Sequence, residues 1–89
     1  MEKYKNKLYK ILPLYEGKIK GENSYLPEDV AFDEYTHYID MLIIEFSGFD
    51  EEPYVEILHY IKGLKSVGKN VTHEQVRKIV FHCIGLLNK

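Results

Sequence analysis

Residues 32–46 read FDEYTHYIDMLIIEF, and this stretch decides the fold. Phe32, Tyr35, Ile39, Leu42, Ile43 and Phe46 recur at steps of three and four, the spacing that puts side chains on one face of a helix. Asp33, Glu34, His37, Asp40 and Glu45 share the opposite half. A half-buried strand would alternate at every second residue, and the stretch does not. Pro27 suits a first helical turn, and Glu28 and Asp29 suit the positive end of the helix dipole, so the spacing predicts a helix over 28–47. Gly48 stands where a left-handed residue is expected to close it. Tyr38, Met41 and Ile44 fall off the stripe and are apolar for a solvated side.

Beyond Gly48, Asp50, Glu51, Glu52 and Pro53 form a second acidic start signal. Tyr54, Ile57, Leu58, Ile61 and Leu64 give the next stripe, on a helix predicted over 51–67 and ending near Gly68. So short a connection makes these two helices antiparallel neighbours. Thr72 and Gln75, three apart, match a capping box that opens a helix over 73–88. Its stripe of Val76, Ile79, Val80, Cys83, Leu86 and Leu87 is the most apolar of the chain and is expected to be the central packing element.

On the N-terminal side, Tyr4, Leu8, Ile11, Leu12 and Tyr15 line one face of a helix predicted over 2–15, with a kink allowed at Pro13. Gly17, Gly21 and the polar run from Lys18 to Ser24 read as a connector, within which Lys18 to Lys20 is a short extended candidate. Four amphipathic helices and short loops predict an all-α chain, a small antiparallel four-helix bundle in a single helical domain over 1–89.

The 89 residues are 45% apolar and 29% charged, the balance of an ordinary globular chain. One cysteine, Cys83, excludes an intrachain disulfide and a four-cysteine zinc site, and a cytoplasmic location fits that usage. The longest apolar runs, Met41 to Ile44 and Ile79 to Phe81, are far too short to span a bilayer, and Met1 to Lys10 lacks the apolar region of a signal peptide. No membrane partner is expected.

Charge is segregated more sharply than the net of −2 suggests. Residues 21–60 hold eleven of the fourteen acids and none of the twelve Lys and Arg residues. Random placement would leave such a window empty of bases roughly one time in a thousand. The flanks carry the compensating positive charge. Tyr25, Tyr35, Tyr38, Tyr54 and Tyr60 are interleaved with the acids.

Chemistry-bearing spacings are few. Glu34 to His37 and Glu56 to His59 have the Glu-x-x-His spacing of carboxylate-bridged di-metal bundles, but both pairs fall opposite the apolar stripes and are expected to face solvent. Cys83 lies on an apolar stripe, and His82 beside it points about 100° away around the helix, which argues against a thiol and base working together. His73, in the first turn of the last helix, reads as a capping or surface residue. No phosphate-binding loop follows a strand. The expectation is a protein that is not an enzyme, with no cofactor and no metal.

The leading functional expectation is an acidic, tyrosine-bearing face that covers a basic partner protein. Its residues would be Asp33, Glu34, Tyr38, Asp40, Glu45, Glu51, Glu52, Glu56 and Tyr60. Acidic fields speed the encounter with basic partners, and tyrosines add contact area. The competing structural explanation is that the acidic helices meet the basic first and last helices across the seams of the bundle. A second functional reading is a helix-turn-helix-like regulator that contacts nucleic acid through Lys65, Lys69, Arg77 and Lys78. A third is an assembly subunit, a homodimer joined through Tyr38, Met41, Ile44 and Phe81. In architecture and charge the chain is similar in kind to bacterial immunity proteins and to phage or plasmid inhibitors, including nucleic-acid mimics. That likeness, which no shared motif carries, implies inhibition by occlusion.

Overall fold

Pro13 lacks the N–H that would bond the carbonyl of Tyr9, and the first helix is interrupted near that missing bond. It forms two segments, α1 (Glu2–Tyr9) and α2 (Ile11–Lys20), with Lys10 as a turn between them whose N–H still reaches the Asn6 carbonyl at 3.1 Å. Then follow α3 (Glu28–Phe46), α4 (Tyr54–Val67), a 3₁₀ turn (Gly68–Asn70) and α5 (His73–Leu87). The computed structural model describes the backbone of residues 2–20 and 28–88, and their side chains apart from 17–20, 28–32 and 69. No strand occurs among the described residues.

With α1 and α2 counted together, the chain is a bundle of four helices packed against one another. The α1–α2 arm touches α3 and α5, α4 touches the same two, and α3 and α5 lie diagonally across the bundle. Tyr15, Tyr35, Ile39, Leu42, Phe46, Ile57, Ile61, Leu64, Val76, Val80 and Cys83 form one continuous core with residues from every helix. Among the described residues α5 buries the most side chains: Val76, Val80, Cys83, Leu86 and Leu87 of its predicted stripe and also Ile84, with Ile79 only partly buried. The hydroxyl of buried Tyr15 donates to the Val71 carbonyl and so ties α2 to the approach to α5.

Several boundaries differ from those expected. The first helix continues through Gly17 to Lys20, so 18–20 are helical and not extended. An interior glycine costs about 1 kcal/mol of helix propensity, which contact with α3 outweighs. The third helix starts at Tyr54, and residues 51–53 form the turn before it. Gly48 is not left-handed: the only glycine with positive φ among the described residues is Gly68, at 54°. α3 ends instead through tight bonds, Gly48 N–H to the Glu45 carbonyl at 3.3 Å and Phe49 N–H to the Phe46 carbonyl at 3.1 Å. Thr72 and Gln75 do form the reciprocal capping box, at 3.2 and 3.0 Å. Pro27 and the segment from Gly21 to Ser24 lie outside the described residues, as does the Phe32 side chain.

Candidate functional site: the acidic corner and the seams beside it

The acidic face is divided by the fold. Its middle is neutralised internally: Glu45 on α3 accepts from the Lys7 ammonium on α1 at 2.5 and 2.6 Å, with both side chains about 30% exposed. Asp40 holds Lys65 of α4 at 2.5 Å. Tyr38 is half-buried and turned toward α1, where its hydroxyl donates to the Lys7 carbonyl at 2.7 Å and Lys10 lies 5.9 Å from its ring. Burial, and then the nearby Glu45 carboxylate, push its phenol up. Tyr60 points the other way, toward α5, with its ring edge-on to His82 at 5.0 Å. The two tyrosines therefore do not share a surface.

The remaining acids lie at opposite ends of the antiparallel α3–α4 pair. Asp33 and Glu34 are exposed near the start of α3. Asp50, Glu51, Glu52 and Glu56 are exposed at the corner where α3 hands over to α4. Glu52 has a local role, because its carboxylate accepts the Glu56 N–H at 3.1 Å and so satisfies a donor of the first turn of α4. None of these four carboxylates lies within 4 Å of a lysine, arginine or histidine nitrogen among the described residues.

Rigidity at this corner comes from aromatic packing that the sequence reading missed. The Phe49 ring stacks on Tyr54 at 4.3 Å, and Tyr4 meets Phe46, Phe49 and Tyr54 at 5.4, 5.7 and 5.8 Å. Lys3 stands 5.7 Å from the Tyr4 ring. The available signal was Phe49 itself, an apolar residue just past a helix end, where contact back onto the last turn is common. The acidic turn is thus anchored from beneath and its carboxylates point outward.

Two of the four bases of the nucleic-acid reading are in ion pairs. Lys65 is on Asp40, Lys78 is 3.5 Å from Glu74 in an exposed pair, and the Lys69 side chain lies outside the described residues. Arg77 is exposed on α5. Beside it a surface depression of about 610 Å³ runs past Lys78, Phe81 and His82. The four residues of the dimer reading do not share a face. Met41 and Ile44, 53% and 74% exposed, are on α3, whereas Phe81 is on the diagonal helix α5 with its ring against Tyr9 at 5.8 Å.

The Glu34–His37 and Glu56–His59 pairs are exposed, and among the described residues no group of three His, Cys, Asp or Glu side chains is placed to hold a metal. Cys83 is buried, and desolvation, with the Glu56 charge second, pushes its thiol up to about 12, away from thiolate chemistry. His73 stacks on Tyr15 at 6.2 Å with its Nε2 3.5 Å from Glu16, a contact between α2 and α5. No helix among the described residues is long and apolar enough to cross a membrane.

Comparison with protein-family models, with curated proteins and with solved structures gives no match.

Proposed function

We propose that this protein binds a basic partner protein through the acidic corner of α3 and α4 and acts by occlusion, without catalysis and in the cytoplasm. The observation that supports the reading is the set of Asp50, Glu51, Glu52 and Glu56, exposed and without an internal cation among the described residues, on a turn anchored by Phe49 and Tyr54. Charges already used inside a fold are worth little to a partner, as Asp40 and Glu45 are here. Charges held outward on a rigid turn steer a basic surface at long range and need little ordering when it docks. The carboxylates would sit over the Lys and Arg residues with which the target grips its own substrate or nucleic acid.

This narrows the predicted patch. Glu51, Glu52 and Glu56 carry it with Asp50, Asp33 and Glu34 form a separate outlying pair, and Tyr38 and Tyr60 act within the bundle. The homodimer reading has less support because its residues lie on different faces, and the nucleic-acid reading has less because Lys65 is held by Asp40.

The test is capture of partners from the source lysate on the tagged protein, washed at low and then high salt. A basic protein retained at low salt and released at high salt is expected. The variant Glu51→Lys, Glu56→Lys with Glu52→Gln should lose that partner with its helicity unchanged, glutamine preserving the acceptor that serves the Glu56 N–H. Equal capture by wild type and variant sinks the assignment.

A further inference from the structure

The seam between α4 and α5 opens into a groove of about 410 Å³, within the roughly 300–1,000 Å³ of small-molecule sites. Val71 and Ile79 line it, and Val67 beside them remains 44% exposed. On the α4 side, Gly63 keeps the wall low: a Cβ built there would meet no atom within 4 Å. Tyr60 and His59 line its far end.

Two polar groups of this groove, on Gln75 and Lys78, are suited to an anion. Gln75 has its carbonyl oxygen committed to the Thr72 N–H at 3.0 Å, which leaves its amide N–H₂ to donate. Lys78 supplies an ammonium, and its one ion pair among the described residues, to Glu74 at 3.5 Å, is between side chains 76% and 79% exposed. Such a pair holds the ammonium weakly and exchanges readily for another carboxylate. Among the described residues no aspartate or glutamate lines the groove.

The geometry points to a binding site for a small amphiphilic carboxylate, a medium-chain fatty acid in chemical class. Its apolar body would lie along Val67, Val71 and Ile79, and its carboxylate would rest on Lys78 with Gln75 donating. Size favours a small molecule over a partner helix. A docked helix needs anchors along at least i to i+7 with walls on both sides, whereas this groove is walled on α5 only from Gln75 to Ile79. The site is independent of the acidic corner, so either can fail alone.

The experiment is a ¹H–¹⁵N titration of the full chain with decanoate, kept below its micelle concentration, and with decanol as the neutral probe. Saturable shifts centred on Gly63, Val67 and Ile79 are expected with decanoate. Decanol should bind about fivefold more weakly, the effect of one exposed ion pair, and Lys78→Met should bring decanoate down to that level. Gly63→Leu should fill the groove and abolish binding while the unfolding temperature does not fall. Absence of saturable shifts, identical shifts in Gly63→Leu, or decanol bound as tightly as decanoate would each overturn the proposal. So would a response to an acidic amphipathic peptide with none to decanoate.

Discussion

Tyr35 is 1% exposed, and burial, with the charge of Tyr15 second, pushes its phenol up to about 12. Tyr15 shifts in the same direction, through burial. A phenol whose folded-state pKa lies above the unfolded value near 10 is kept neutral by folding. Its contribution to stability is whole below pH 10 and is lost as pH rises through the folded value. Urea midpoints should therefore hold steady up to about pH 10 on account of these groups and fall between 10 and 12, with tyrosinate absorbance developing together with unfolding. Tyrosinate absorbance for all eight tyrosines near pH 10 in a chain that remains folded would show that these hydroxyls reach water. Burial of Tyr35 was legible from its place on the stripe of α3. The partner of Tyr15 was not, because Val71 is 56 residues away in the chain.

At the scale of the element, α4 and α5 respond to local rules that can be tested separately. Thr72→Ala removes the acceptor of the capping box and should cost about 1 kcal/mol, lowering the melting temperature by roughly 4–8 °C for a chain of this size. Gly63 is exposed in the interior of α4 with open space around it, so Gly63→Ala should raise stability by about 0.5–1 kcal/mol. Differential scanning calorimetry reads both. The start of α5 could be read in advance because a capping box is a four-residue pattern. The end of α3 was misread for an equally local reason: tight main-chain bonds around Ser47 and Gly48 close that helix without a positive φ.

Across the whole molecule, the Lys7–Glu45 contact joins the basic N-terminal arm to the acidic α3, and it is the clearest case of opposite charges meeting over a seam. A double-mutant cycle with Lys7→Met and Glu45→Gln should give a coupling of about 1 kcal/mol that shrinks in high salt. A coupling near zero would mean that the pair selects which helices are neighbours without adding stability. The other acids on α3 and α4 show why the segregated sequence did not translate into one surface. Residues adjacent in the chain were sent to different sides, Tyr38 toward α1, Tyr60 toward α5 and Asp40 toward Lys65.

Local pattern was enough to show that this chain is helical, where its four helices begin to within a few residues, and most of what their stripes bury, because periodicity and capping act over a handful of neighbouring residues. It took the packing of the whole fold to set α3 and α5 on a diagonal, to pair Asp40 and Glu45 with lysines of neighbouring helices, and to leave the corner acids outward above Phe49 and Tyr54. The physical reason is range. Helix formation is settled by contacts three and four residues apart, whereas the pairing of a charge depends on which side of a helix meets which neighbour, and that is set by the packing of the whole core.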